Sequence, residues 1–210
     1  MKSYKLDIKT VIFMVGFISL IIFSAVLYIF KLVNLSNLGD ILLDYGYILA
    51  PVTILWVLME RTLWHTRIFQ SFRKSFNIPP DLRGRWEGTL ENSDGSPVQK
   101  FVIEVKQTLT RLKVDSYSTI GLSVSVLCEI ASDIHEEHFT LCYMWEGTTH
   151  TDIKDMHQGE RFQGYTMLNL VEHERPRVMK GSYFTNRKPI QTRGGIELTW
   201  VSKELLKKFE

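Results

Sequence analysis

The chain has 210 residues, with 25 Lys and Arg against 23 Asp and Glu, and a formal charge of +2. The balance is uneven: residues 1–78 carry eight cationic and four acidic side chains, residues 79–210 seventeen and nineteen. The second segment therefore lacks the basic excess of proteins that track polymeric nucleic acid, which leaves a local pocket for a small anion open.

Residues 10–30 (TVIFMVGFISLIIFSAVLYIF) run twenty-one positions without a charge. At about 1.5 Å per residue such a helix is roughly 30 Å long, enough to cross the hydrocarbon core of a bilayer. The main alternative, a cleaved signal peptide, fits less well: the stretch is long for an h-region, no small-x-small site follows, and a second apolar stretch comes next. That stretch, residues 41–59, holds one acid, Asp44, in its first turn. Lys2, Lys5 and Lys9 precede the pair of stretches, and Arg61, Arg67, Arg73 and Lys74 follow it. Short flanks rich in Lys and Arg stay in the cytoplasm, so residues 1–60 are expected to form a two-span transmembrane hairpin with both termini cytoplasmic. Gly16, Ser19, Ser24, Ala25, Gly46 and Ala50 would allow close helix approach, although a passive anchor explains them equally well.

From Glu60 the apolar residues Leu63, Trp64, Ile68, Phe69, Phe72 and Phe76 recur at helical spacing beside Arg61, Arg67, Arg73 and Lys74. This predicts an amphipathic connector helix over residues 61–78. Pro79-Pro80 ends it, because proline lacks the amide donor and restricts the residue before it.

Beyond Pro79 the period changes to two. Strands are predicted over residues 85–91, 98–107, 111–118, 122–131, 137–145, 161–172, 177–185 and 195–201, with a strong turn at Asn92-Ser93-Asp94-Gly95-Ser96-Pro97. In the fourth strand Leu122, Val124, Val126, Cys128 and Ile130 are expected on one face; in the fifth, Phe139, Leu141, Tyr143 and Trp145. Eight sequential strands joined by short turns close most economically as an up-and-down barrel, which removes exposed edges; a sandwich is the alternative. The expected fold is therefore membrane-anchored all-β: two N-terminal transmembrane helices, then an eight-stranded up-and-down barrel over residues 79–210 that is filled or holds one small ligand. Cys128 and Cys142, the only cysteines, read as two buried thiols rather than a disulfide or a metal site.

Leu82-Arg83-Gly84-Arg85-Trp86-Glu87-Gly88, with Gly two residues after Trp, is similar to the opening of lipocalin-like barrels. Together with the apolar pair, the connector and Gly181-Ser182-Tyr183-Phe184-Thr185-Asn186-Arg187, it resembles a narrower family. That family is the two-transmembrane β-barrel effectors (S-2TMβ type) of bacterial CBASS anti-phage systems, encoded beside CD-NTases. The resemblance implies a cytoplasmic barrel that senses a cyclic dinucleotide, oligomerises, and lets the spans disrupt the inner membrane. It also implies membrane lipid and further copies of the chain as partners, and no cofactor beyond the activating ligand.

A nucleotide site needs aromatic faces and donors to phosphate or base edges. Tyr183, Thr185, Asn186 and Arg187 offer that mix in one stretch, against the plainer reading of a strand ending in a solvated turn. Arg83 pairs with lipid phosphates, with Asp81 or Glu87, or with the ligand. Trp86 is either a plug in the barrel floor or a stacking platform, and Tyr143 and Trp145 are either core or pocket. Asn169, opposite in parity to Thr166, Leu168 and Leu170, is costly inside unless bonded, which makes it a pocket candidate. His135-Glu136-Glu137-His138 lacks the His-Glu-x-x-His spacing and lies between strands, so no metal site is expected. No nucleophile, base and acid stand in a recognisable order, and the chain is not expected to be an enzyme. A membrane-tethered carrier of a lipid or other apolar ligand is the alternative function, and a scaffold with a filled interior a further one.

Overall fold

A computed structural model describes residues 2–3, 15–22, 24–25, 38–71, 78–119, 121–132, 138–149, 161–171, 176–186 and 191–209. The chain divides into two compact units, Leu6–Pro79 and Met1–Lys5 with Pro80–Glu210.

In the first unit, residues 15–22 are helical and the second apolar stretch lies in helix α1, Leu38–Arg61. Among the described residues no helix is both long and apolar enough to cross a membrane. The rest of the first apolar stretch, and the side chains of residues 38–49, lie outside the described residues. The connector is broken rather than one continuous helix. After Thr62 comes a single 3-10 turn, Leu63–His65; Thr66 is extended at ψ 153°, and helix α2 is described over Arg67–Ser71, while the rest of the expected connector, residues 72–77, lies outside the described residues. An extended residue cannot continue the helical hydrogen-bond ladder, so the aromatic periodicity is cut at Thr66.

The second unit opens with a two-residue strand β1 (Lys2–Ser3), paired with Ala131 and Ser132. Eight longer strands follow: β2 (Gly84–Asn92), β3 (Gln99–Gln107), β4 (Leu112–Ser118), β5 (Gly121–Ser132), β6 (Phe139–Thr149), β7 (Arg161–Val171), β8 (Val178–Thr185) and β9 (Arg193–Ser202). Each pairs antiparallel with the next, and β2 pairs with β9, so the sheet closes as an eight-stranded up-and-down barrel. The expected strands are met to within a residue or two, except that β6 runs on to Thr149, through residues read as loop, because it pairs with β5 as far as Gly121.

Period-two alternation sends Trp86, Ile103, Val105, Val114, Ile130, Leu141, Leu168, Met179 and Leu198 into one core. The face expected for β5 holds only in part. A bulge between Ser125 and Leu127 adds a residue, so Cys128 and Ile130 face inward while Leu122 and Val126 are exposed. Cys128 pairs with Tyr143 and Glu129 with Cys142, which places the two thiols on opposite faces of the wall.

Closure of β2 against β9 is held on both faces. Inside, the Arg177 guanidinium stacks 5.3 Å from the rings of both Trp86 and Trp200, and its Nη1 donates to the Asp81 carbonyl at 2.6 Å. Outside, buried Arg85 donates to Glu104 at 3.2 Å and to the carbonyls of Lys208 and Phe209, while Glu104 Oε1 accepts from the amides of Leu206 and Lys207. The C-terminal segment is thereby strapped over β2 and β3. Gly84 has φ +119°, and a Cβ there would meet the Ser202 carbonyl oxygen at 2.2 Å, so glycine is required where the two strands first meet.

Removing one partner of a buried ion pair strands the other charge. Arg85→Ala, which takes the cation from the fully buried Glu104 carboxylate as well as from Glu87, is expected to destabilise the barrel by about 3–5 kcal/mol, read by denaturant unfolding of the full chain in detergent. Lys180→Ala, which removes the exposed 2.9 Å pair with Glu197, serves as the control and should stay within about 1 kcal/mol. Equal effects from the two would show that the strap carries no special stability.

Candidate functional site: a cavity at the barrel mouth

Polar side chains replace aliphatic ones inside the barrel at the end where β2 joins β3 and β8 joins β9. There a cavity of about 110 Å³ is lined by Asn92, Gln99, Phe101, Ser116, Ser118, Trp145, Phe162, Thr166, Tyr183, Thr185 and Thr192, with Leu90, Leu122 and Ile196 among the apolar members. Trp145 is its main aromatic wall. Its Nε1 donates to Thr166 Oγ1 at 3.0 Å, and its ring meets Phe162 edge-on at 5.6 Å. Gly164, opposite Trp145 in the β6–β7 register, leaves room for that ring: an added Cβ would lie 2.3 Å from Trp145 Cζ2. Across the cavity the Tyr183 hydroxyl donates to Asn92 Oδ1, and the Thr185 and Thr192 hydroxyls bond at 2.8 Å.

Below this belt the Tyr143 hydroxyl is buried without a hydrogen-bond partner among the described residues. The Ser116 and Thr166 hydroxyls stand beside it. Burial pushes the Tyr143 phenol up to about 12, against the lowering effect of those two hydroxyls. Burial, then the negative charge of Asp94, also raises Tyr183 to about 12. Both phenols are therefore neutral donors at physiological pH, and the described lining carries no formal charge. Neutral hydroxyls and amides beside an aromatic wall match the edges and faces of bases.

Tyr183, Thr185 and Trp145 thus come together around one cavity. Asn186 lies at its rim but is exposed and occupied: its Oδ1 accepts from the Gln163 amide at 2.7 Å and its amide donates to the Gln163 carbonyl. Arg187 lies outside the described residues. The other expected positions lie elsewhere. Asn169 is exposed on the outer wall, where Thr140 Oγ1 donates to its Oδ1 at 2.8 Å. Trp86 is completely buried at the opposite end, with Nε1 donating to the Leu82 carbonyl at 2.9 Å, so it plugs the floor. Arg83 is away from the cavity and pairs with Asp81 through two bonds of 2.8 and 2.9 Å. Tyr143 belongs to the core beneath the cavity and does not line it. The sequence reading missed Asn92, Gln99, Ser116, Ser118, Phe162 and Thr192. The inward parity of Phe162 and Ser116 was available from their strands; the others sit where strands end, and only the closed barrel brings them together.

A second concavity, of about 800 Å³, lies on the side wall. There β4 and β5 pair only through Asp115–Tyr117 and Leu122–Val124, and the Val114 amide turns to Ser125 Oγ at 2.9 Å. Arg83, Lys106, Arg111, Lys113 and Lys203 border this seam. Asp81 pairs with Arg83, and Asp115 with both Lys106 and Lys113, so much of the positive charge is already matched.

A closed barrel with a neutral, aromatic and hydroxyl-lined cavity at one mouth is the architecture of a small-ligand receptor. Residues 77–200 match the family described as Cap15, cyclic dinucleotide receptor domain. The chain belongs to this family, which bears out the resemblance to the S-2TMβ-type effectors of CBASS and makes a cyclic dinucleotide its ligand class. No curated protein matches the chain.

Two outcomes follow from the cavity. Gly164→Ala should push Trp145 off the wall, change the near-ultraviolet circular dichroism and cost about 1–3 kcal/mol as an overpacked site; an unchanged spectrum would show that the ring has room to move. A group whose pKa is raised on folding contributes stability that is fully present below its unfolded value and is lost as pH rises through its folded value. Raised from the ordinary 10.0 to about 12, Tyr143 and Tyr183 contribute nothing to pH dependence below about 10 and destabilise the barrel between about 10 and 12. Removing the steepest part of that fall with Tyr143→Phe in a pH series of melts would check the assignment.

Proposed function

We propose that the cyclic dinucleotide binds in the mouth cavity, with Trp145 and Phe162 against a base and with Tyr183, Thr185 and Asn92 at base edges. The observation that carries this reading is the concentration of re-orientable hydroxyls, those of Ser116, Thr166, Tyr183, Thr185 and Thr192, beside the aromatic wall. Arg187, four residues beyond Tyr183 in sequence, supplies the charge for a phosphate. At about 110 Å³ the cavity is smaller than the roughly 300 Å³ of an ordinary ligand site, so it takes one base edge-first while the phosphates stay at the rim.

Binding then favours an assembled state by its extra affinity for that state. The two apolar stretches of residues 1–60 act as the membrane hairpin, residues 61–78 connect it to the barrel, and clustering of the hairpins in a homo-oligomer breaches the bacterial inner membrane, with lipid as the second partner. Both termini face the cytoplasm. The chain works by binding, not catalysis, and needs no cofactor. The hydroxyl-rich lining weighs against the lipid-carrier alternative, which calls for an aliphatic interior. The size and cations of the β4–β5 seam favour one second reading, in which the phosphates lie along Arg111 and Lys203.

Calorimetric titration of the full chain in detergent with c-di-AMP, c-di-GMP and cyclic GMP–AMP tests the site. Trp145→Ala and Arg187→Ala should each weaken the tightest probe at least tenfold with little change in melting temperature for Arg187→Ala. Arg111→Glu/Lys203→Glu should leave affinity within twofold; the reverse pattern would move the site to the seam. Deleting residues 1–60 should abolish dye leakage from liposomes, and leakage by the truncated protein would overturn the hairpin mechanism.

A further inference from the structure

The chain leaves the barrel unit at two points, and both lie at the floor. Lys2 and Ser3 pair with Ser132 and Ala131 at the floor end of β5. Pro80 is held at the end of β3, where Gln107 Nε2 donates to its carbonyl at 2.9 Å. Both apolar stretches fall between these two points in the sequence. Of the two ends of the barrel, the floor is therefore the one tethered toward a bilayer that takes those stretches.

The β4–β5 seam opens near this same end, and its surroundings carry the charge that an anionic leaflet attracts. Residues 81–87, 104–115 and 202–209 hold eight Lys and Arg against five Asp and Glu, an excess of three cations. Four of the acids, Asp81, Glu87, Glu104 and Asp115, engage Arg83, Arg85, Lys106 and Lys113. Arg111, Lys203, Lys207 and Lys208 stand outside these pairs and are exposed. The display of the last two is built into the strap. Fully buried Glu104 accepts from the amides of Leu206 and Lys207 at 2.7 and 2.9 Å, and Lys207 turns at φ 56°, in the left-handed region. A lysine keeps that conformation where its surroundings fix it, as the buried carboxylate does here. Val126 at the seam and Leu206 on the strap, 62% and 47% exposed, set apolar side chains among the cations. Such a surface suits a headgroup layer: the cations meet lipid phosphate and the apolar groups enter the boundary beneath it. By sequence, residues 133–137 and 172–175, which join the other strands at the floor, hold five acids and one Arg, so the attraction is confined to the seam side.

We infer that the β4–β5 seam and the C-terminal strap rest on anionic phospholipid headgroups, which leaves the mouth facing the cytoplasm and open to nucleotide. The inference rests on the hairpin and receptor reading above and adds to it the surface that meets the membrane and the charge of the lipid it selects.

The test uses the full chain in phosphatidylcholine nanodiscs, with and without phosphatidylglycerol, and reads amide hydrogen exchange by mass spectrometry. Phosphatidylglycerol should slow exchange in residues 106–113 and 203–208 at least threefold, leave residues 92–99 at the mouth unchanged, and lose its effect in high salt. Arg111→Glu/Lys203→Glu should abolish the slowing while melting at the wild-type temperature and keeping nucleotide affinity within twofold. Arg111→Lys/Lys203→Arg should preserve the slowing. Equal exchange in the two lipids overturns the inference, as does slowing that persists after charge reversal or that appears at the mouth instead. Slowing of the same residues by inorganic phosphate in pure phosphatidylcholine overturns it in favour of a free-anion site. Joint loss of the lipid response and of nucleotide affinity on charge reversal overturns it in favour of a nucleotide site at the seam. If the wild type binds no nucleotide, the receptor reading fails on its own and the exchange comparison still decides the surface. A full chain that does not enter phosphatidylcholine discs counts against the hairpin alone. Flotation then decides the surface: capture by phosphatidylglycerol vesicles that Arg111→Glu/Lys203→Glu abolishes upholds it, and no capture overturns it.

Discussion

Closure of β2 on β9 is the constraint from which the rest of the barrel follows, and two adjacent residues secure it from opposite sides. Alternation sends Trp86 inward, where it pairs with Trp200 and takes the Arg177 guanidinium between the two indoles. It sends Arg85 outward, where the Glu104 carboxylate and the C-terminal carbonyls enclose it. A cation between aromatic faces is attracted by their negative π surfaces. The outer pair needs its full set of hydrogen bonds to offset desolvation, and the C-terminal strap supplies them. With the floor locked in this way, the opposite end of the barrel is free to carry polar groups that would be costly in a uniformly packed core.

The two ends therefore divide the labour. Aliphatic and indole side chains fill the floor, and Ser116, Thr166, Thr185 and Tyr183 gather at the mouth. The bulge in β5 belongs to the same division. It reverses side-chain parity within one strand, so Ser123 and Ser125 replace the apolar residues that strict alternation would place against Trp145 and Gly147, and it opens the seam with β4. One inserted residue thus makes the upper interior more polar and interrupts the wall beside it.

Eight strands were legible because β-branched and aromatic residues alternate with polar ones between unmistakable turns. Membership in the effector family was legible as well, from Trp86 and Gly88 at the head of the barrel combined with the two apolar stretches, the connector and the late Gly181–Arg187 segment. The bulge was not, since Leu122, Val124, Val126, Cys128 and Ile130 alternate without a break and the extra residue is visible only against the register of β6. Parity grouped Thr166, Leu168 and Leu170 apart from Asn169, and burial of the apolar set sends Asn169 outward. The break at Thr66 escaped notice because a side-chain pattern does not report one residue's ψ. Arg83 fell out of the site because it precedes β2 at the floor end of the barrel, where it pairs with Asp81. What periodicity cannot supply is the meeting of strand ends, and the mouth of a barrel is made of little else.

The β2–β9 register also fixes when this molecule can finish folding. Arg85 pairs across the seam with Ser202, more than a hundred residues later in the chain. At about 5–20 residues per second the ribosome needs on the order of 5–20 s to cover the intervening stretch of roughly 100 residues. Throughout that interval β2 has one neighbour and an open edge, and the strap that encloses Arg85 does not yet exist. An apolar N-terminal segment is thus already outside the ribosome while the domain behind it remains an unclosed sheet. The order of translation itself delays the competent receptor until β9 has left the ribosome.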